Sequence, residues 1–217
     1  IDQVFAQSEV DKNRLEQLGA SNVEVIGNIK LANLPKVTKS LGKQKELLIT
    51  AASTHENEEQ LILDAHERSH GKLIIVPRHP ERFEKVDQLI REVARMKCLS
   101  YHRYSQKEDF SSDIILVDCM GELNNIYAIS DVVILGGAFE NIGGHNPVEP
   151  AFFGVKLISG KKIFNQKALF DCVNDFVLID NNELKQTLDN IEYLTHSSLK
   201  KVGQLKPIVE AINRYNS

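Results

Sequence analysis

Four short segments of this 217-residue chain carry groups suited to gripping an anionic, hydroxyl-rich ligand. Ser53-Thr54-His55-Glu56 offers hydroxyls and backbone donors at a helix start for a phosphate or sugar. Pro77-Arg78-His79-Pro80 holds a guanidinium, which can pair bidentately with phosphate or carboxylate, in a loop stiffened by prolines. Met120-Gly121-Glu122 joins a glycine, which lets a base or ribose approach the backbone, to a carboxylate. The longest runs Gly136-Gly137-Ala138-Phe139-Glu140-Asn141-Ile142-Gly143-Gly144-His145-Asn146-Pro147-Val148-Glu149-Pro150. Its glycines permit positive φ and close backbone approach. The stretch Asn146-Pro147-Val148-Glu149 reads as a helix start, with Asn146 as N-cap, Pro147 in the first turn and Glu149 closing a capping box. Free backbone N–H groups and a helix N-terminus there would form an anion cradle. Each segment also has a plainer reading. Ser53 or Thr54 can be an N-cap, Glu122 a first-turn acid, His79 a residue that orients its loop and His145 a loop-packing residue.

These segments matter because of what precedes them. Each follows an apolar, β-branched-rich run: Glu46–Ala51, Lys72–Val76, Asp113–Val117 and Val132–Leu135. Continuous apolar runs of this length predict strands covered on both faces. Between them the spacing predicts helices over Glu56–Ser69, Pro80–Met96 and Glu122–Ile129, with a weaker strand at Cys98–His102. Downstream come a helix near Pro147, a strand at Val155–Ser159, a helix over Gln166–Val173, a strand at Phe176–Ile179 and helices over 183–194 and 197–215. Upstream are strands at Val4–Ala6 and Val23–Ile26 around a helix from Glu9 to Leu18, with Ser8 as N-cap and Gly19 as stop. Residues 31–45 read as a linker. Strands alternating with helices predict an α/β fold with a Rossmann-like parallel sheet. In such sheets ligands bind beyond the carboxyl ends of the strands, where all four segments fall.

Bulk properties narrow the class. Apolar residues make up 42% and charged residues 26%, an ordinary globular composition. The net charge of −4, from 26 basic and 30 acidic residues, argues against a nucleic-acid footprint. No apolar run approaches the roughly 18 residues of a membrane span. Cys98, Cys119 and Cys172 have no paired spacing, no His/Cys cluster has metal-ligand spacing, and neither a Walker lysine motif nor a nucleophile elbow is visible. No metal or cofactor is expected. The chain opens inside a strand without an initiator Met, and the expectation is a fragment of a longer protein.

At these residues the chain resembles the 3-deoxy-D-manno-octulosonic acid (Kdo) transferases. The resemblance lies in Ala6-Gln7-Ser8-Glu9, Gly27-Asn28-Ile29-Lys30, Ser53-Thr54-His55-Glu56, Pro77-Arg78-His79-Pro80-Glu81-Arg82-Phe83, Met120-Gly121-Glu122-Leu123 and Gly143-Gly144-His145-Asn146-Pro147-Val148-Glu149-Pro150. It runs from residue 1 to about residue 175, and the last two strings are the family-specific ones. The chain departs from the family at Ala138, where serine is common, and at Asn141-Ile142, where an arginine precedes the glycine pair. It departs also at Asn57, usually glycine, at Cys119, usually threonine, and at Lys161, where proline follows glycine.

The resemblance implies the carboxy-terminal half of a GT-B glycosyltransferase. Residues 1–30 would be a remnant of the amino-terminal domain plus linker, and 31–217 the CMP-Kdo-binding domain. Pro77, Arg78, Met120, Gly121, Glu122, Asn146, Pro147, Val148 and Glu149 would contact CMP. Ser53, Thr54, His55, Gly143, Gly144 and His145 are further candidate donor contacts. The implied acceptor is a lipid A precursor at the cytoplasmic face of the bacterial inner membrane. The catalytic base belongs to the amino-terminal domain, so the fragment alone is expected to be inactive. Two alternatives stay open: another GT-B enzyme such as a UDP-sugar transferase or 2-epimerase, and a nucleotide-binding module without catalysis.

Overall fold

A computed structural model describes residues 3–27, 29, 35–200 and 206–215. Asn28 and Lys30 of the Gly27-Asn28-Ile29-Lys30 string, and the first residues of the 31–45 linker, lie outside the described residues. The chain divides into two compact units, one of Ile1–Leu34 with Leu199–Ser217 and one of Pro35–Ser198.

In the first unit, β1 (Val4–Ala6) pairs in parallel with β2 (Val23–Val25) across α1 (Glu9–Gln17). Ser8 caps α1 as the sequence predicts, its Oγ accepting from the Asp11 N–H at 3.1 Å. Gly19 stops it at φ +93°, a left-handed exit open to glycine.

The second unit is built from β3 (Leu48–Thr54), α2 (Glu58–Ala65), β4 (Lys72–Pro77), α3 (Phe83–Met96), β5 (Tyr101–Arg103), β6 (Ile114–Leu116), α4 (Leu123–Tyr127), β7 (Val132–Leu135), α5 (Val148–Phe152), β8 (Lys156–Gly160), α6 (Lys167–Phe170), β9 (Val173–Asn174), β10 (Phe176–Ile179) and α7 (Leu184–Asp189). Seven strands form one sheet in the order β10-β8-β7-β3-β4-β6-β5, all parallel. Alternate side chains divide the core. Ile49, Ala51, Leu73, Ile75 and Ile134 pack with α2, α3 and α7, whereas Leu48, Ile74, Ile115 and Val117 pack with Ile126 of α4. Both faces are covered, which is why the strands read as unbroken apolar runs.

The helix predicted over 197–215 is interrupted. Ser198–Leu199 form β11 beside β9, and α8 spans Lys206–Tyr215. Predicted helix starts shift where 3-10 turns intervene, as at Pro80–Arg82 ahead of α3.

From β3 the chain moves to β4 and beyond on one side, then returns to β7 on the other. The strand order therefore reverses between β3 and β7, and the crevice outside their carboxyl ends is the expected ligand position.

Candidate functional site

At the end of β3 the backbone leaves regular geometry. The pairing with β4 slips between Ala52 and Thr54, and Ser53 takes φ +54°. Strained backbone of this kind concentrates at ligand sites. The strand then runs on through Thr54, so neither Ser53 nor Thr54 is the N-cap that the sequence suggests. That position belongs to Asn57, in the left-handed region at φ +71° and without a side-chain cap bond. Asparagine is among the few residues that adopt this region readily, which accounts for the departure from glycine there. The Thr54 hydroxyl is fully buried and donates to Glu59 Oε1 at 2.8 Å.

The turn at Asn57 directs Glu58 back under the glycine-rich loop. Glu58 is 0% exposed. Its Oε2 accepts from the N–H groups of His55 (2.9 Å) and Gly137 (2.8 Å), and its Oε1 from Phe139 (3.1 Å) and Glu140 (3.4 Å). Three of the loop's N–H groups, those of Gly137, Phe139 and Glu140, are therefore engaged by a carboxylate of the chain itself. Two further glycine amides turn inward, Gly136 to Ala52 O at 2.9 Å and Gly144 to Gly137 O at 2.7 Å. Gly136 has no room for a side chain, because a Cβ there would lie 2.6 Å from Ser53 O and 2.8 Å from Glu58 Oε2.

Three imidazoles gather above this buried carboxylate. His55 and His145 lie near-parallel, 7° between planes, with their Nε2 atoms 2.8 Å apart. His79 meets His55 edge-on at a centroid distance of 5.4 Å. Burial, then the charges of His55, Arg78 and His79, push His145 down to about 4. Burial, followed by His79 and Arg82, lowers His55. Both rings are thus neutral near pH 7, one Nε2–H donating to the other Nε2. Arg78 is exposed beside them. Its N–H donates to Thr54 O at 3.0 Å, while among the described residues its guanidinium makes no hydrogen bond or ion pair. Pro77 is buried at the end of β4.

Arg82, in the same loop, has a different task. Its Nη1 and Nη2 bond Glu59 Oε1 and Oε2 at 2.6 and 3.0 Å, with Glu59 only 1% exposed. This bidentate pair ties the Arg78 loop to the start of α2.

On the other flank, Met120 is 63% exposed, and Gly121 has φ +89° with nothing within 4 Å of where a Cβ would stand. Glu122 is held by Asn125, whose Nδ2 donates to its Oε2 at 2.9 Å, while Asn125 Oδ1 accepts from the N–H groups of Thr38 (2.8 Å) and Lys39 (3.1 Å). The α4 helix that follows packs against α5, which carries Glu149. Pro147, not Asn146, occupies the N-cap position of α5. Asn146 caps from one residue further out, its Oδ1 accepting from the Val148 N–H at 3.0 Å. Its Nδ2 donates to Glu149 Oε1 at 3.1 Å, so Glu149 is held by a side-chain amide and the predicted capping box is absent. Glu149 Oε2 makes no hydrogen bond among the described residues. Gly143 and Gly144 are buried in the loop between, Gly143 O accepting from the Asn165 N–H at 3.1 Å.

The fold thus brings Thr54, His55, Arg78, His79 and His145 together, and separately places Glu122, the N-cap residue of α4, and Glu149, in the first turn of α5, at the starts of neighbouring helices. Glu58, Glu59, Arg82 and Asn125 went unseen as site builders. The one local signal was Asn57 ahead of two glutamates. Among the described residues no group of three or more His, Cys, Asp or Glu side chains is placed to hold a metal ion, and no helix is long and apolar enough to cross a membrane.

No protein-family model matches the chain. It is 40% identical over 173 residues to a bifunctional glycosyltransferase/methyltransferase of Fusobacterium nucleatum, covering 72% of this chain and 26% of that one. It is 35% identical over 184 residues to a 3-deoxy-D-manno-octulosonic acid transferase of Haemophilus influenzae, covering 77% and 42%. With the Aquifex aeolicus enzyme of the same name it shares 33% over 165 residues, covering 73% and 44%. The chain therefore spans less than half the length of these relatives. Among solved structures it matches the C-terminal CMP-Kdo binding domain of WaaA from Acinetobacter baumannii, at 33% identity and TM-score 0.56, covering 68% of this chain and 79% of that domain. With the reach of that match and the parallel sheet described above, the fold is that of the carboxy-terminal half of a GT-B glycosyltransferase, and the chain belongs to the family of the 3-deoxy-D-manno-octulosonic acid transferases.

Proposed function

We propose that this chain is the donor half of a Kdo transferase. It binds CMP-Kdo, and the whole protein transfers Kdo to a hydroxyl of a lipid A precursor at the cytoplasmic face of the bacterial inner membrane. The observation that carries this reading is the 33% identity over 79% of a CMP-Kdo binding domain. Residues 35–198 hold the donor. The unit of 1–34 with 199–217 belongs with an amino-terminal domain, which also supplies the acceptor site and the catalytic base. The chain by itself binds CMP and transfers nothing.

The side-chain geometry supports the assignment of roles. The uncommitted Arg78 guanidinium grips the phosphate and stabilises the negative charge that builds on departing CMP. The one ring N–H that the His55–His145 bond leaves over is a further donor beside it. Gly121 leaves the Met120–Glu122 backbone open to the cytosine edge, with Glu122 fixed by Asn125. Glu149, fixed through Oε1 by Asn146, accepts the ribose hydroxyls on Oε2. Pro147 and Val148 line the approach between Glu149 and the loop.

Calorimetric titration of the chain with CMP tests this. Arg78→Ala and Glu149→Ala are each expected to weaken binding about tenfold or more, the net value of a charge-assisted hydrogen bond. UMP and UDP are expected to bind more weakly than CMP. Two variants that bind like wild type overturn the site assignment, and a preference for UDP overturns the donor.

A further inference from the structure

The glycine-rich loop presents N–H groups in the arrangement that proteins use for phosphates and carboxylates, and this chain fills it from within. We propose that Glu58 is a built-in anion for that loop. Its carboxylate holds the loop in its binding shape and leaves the phosphate of the donor to Arg78 and the histidines. This inference rests on the donor reading above for its binding arm, but its central claim stands on the described contacts alone.

Four backbone N–H groups converge on two carboxylate oxygens, which have no other hydrogen-bond partner among the described residues. With every oxygen facing donors, no acceptor is left for a carboxylic proton, so the ionised form is the one that fits. Burial raises the Glu58 carboxyl from its ordinary value, and the four N–H groups work against that rise. The approach is prepared on both sides. Asn57 at φ +71° turns Glu58 inward, and glycine at 136 leaves room for Oε2, which would lie only 2.8 Å from a Cβ at that position. Gly137, one of the four donors, also lies against His145, since a Cβ on it would stand 2.7 Å from His145 Cδ2. Displacing the carboxylate therefore moves the loop that carries His145, and with it the His55–His145 contact. Glu58 is a positioning residue, acting on the ligand through the loop.

Chemical rescue tests this in the 217-residue chain. Glu58→Ala empties the cradle, and formate is small enough to refill it. About 100 mM sodium formate is expected to raise the unfolding midpoint of Glu58→Ala by about 3 °C or more, and to shift wild type by less than about 1 °C relative to sodium chloride. Formate is also expected to restore CMP affinity to the variant. Glu58→Gln keeps the volume and loses the charge, placing an NH2 against N–H groups. It is expected to fold, to bind CMP about tenfold more weakly and to gain nothing from formate. Equal midpoint shifts in Glu58→Ala and wild type overturn the proposal, whatever CMP does. So does a Glu58→Gln variant matching wild type in midpoint and CMP affinity. Should Glu58→Ala fail to fold even in formate, the Glu58→Gln comparison decides. If wild type itself fails to bind CMP, the donor reading falls while the formate result still judges Glu58.

Discussion

Arg82→Ala is the perturbation that the structure prices most directly. Arg82 meets Glu59 through two parallel bonds of 2.6 and 3.0 Å, and Glu59 has 1% of its surface exposed. Removing the guanidinium leaves that carboxylate buried with a single hydroxyl donor, Thr54 Oγ1. Breaking a buried pair from one side costs about 3–5 kcal/mol. For a chain of this size each kcal/mol shifts the midpoint by about 2–4 °C, so a fall of about 6–20 °C is expected. The double variant Arg82→Met/Glu59→Met removes both charges and keeps the volume. Its cost reduces to the orphaned Thr54 hydroxyl, about 1–3 kcal/mol. The assay is thermal and urea unfolding of wild type, both singles and the double, with CMP titration alongside. CMP affinity is expected to fall in Arg82→Ala, because Arg82 anchors the turn next to Arg78 and its Nη1 also faces Thr54 O. A midpoint drop below about 3 °C, or single costs that simply add in the double, would refute a coupled buried pair.

Two further outcomes follow from the same geometry. His66 is 1% exposed with neither ring nitrogen hydrogen-bonded among the described residues, and burial pushes it from 6.5 down to about 4. The fold favours the neutral ring, so this stability is fully present above about pH 6.5 and is lost as pH falls toward 4, to a total of about 3 kcal/mol. His66→Leu is expected to flatten the pH dependence of the urea midpoint between pH 7 and 4.5, and an unchanged slope would count against it. Gly136→Ala forces a methyl against Ser53 O and Glu58, none of which is a free side-chain end. It is expected to cost about 1–3 kcal/mol and to weaken CMP binding, whereas Gly42→Ala, with nothing within 4 Å, should be silent in both.

The sheet was legible because its strands are buried on both faces and so read as apolar runs, and because a parallel sheet sends every strand end to one edge. Those two facts place His55, Arg78, Gly121 and Gly136 on a common edge without any contact being known. Errors arose where a local rule had a tertiary competitor. Ser53 and Thr54 are good caps by composition, but β3 pairs with β4 as far as Thr54, so the helix cannot begin until the turn at Asn57. Asn146 and Glu149 have capping-box spacing, yet Pro147 takes the cap position and the two side chains bond each other instead. A helix over 197–215 was predicted across Ser198, which pairs with β9 as part of β11.

The deepest miss is of another kind. Whether the donors of a loop are free is a count over the whole molecule, and no window of sequence performs it. The glycines of 136–144 announce N–H groups able to hold an anion, and three N–H groups of this loop hold a carboxylate of the chain itself. Their partner stands 79 residues upstream of Gly137, in a position where an acidic residue is ordinary helix chemistry. A surface acid stabilising a first turn and a buried acid closing a cradle look alike in one dimension. What separates them is the left-handed turn at Asn57, together with a glycine at 136 that leaves the carboxylate somewhere to go. Neither signal means much alone. Only their meeting at the switch between β3 and β7 turns Glu58 from a helix acid into the acceptor for the N–H groups of His55, Gly137, Phe139 and Glu140.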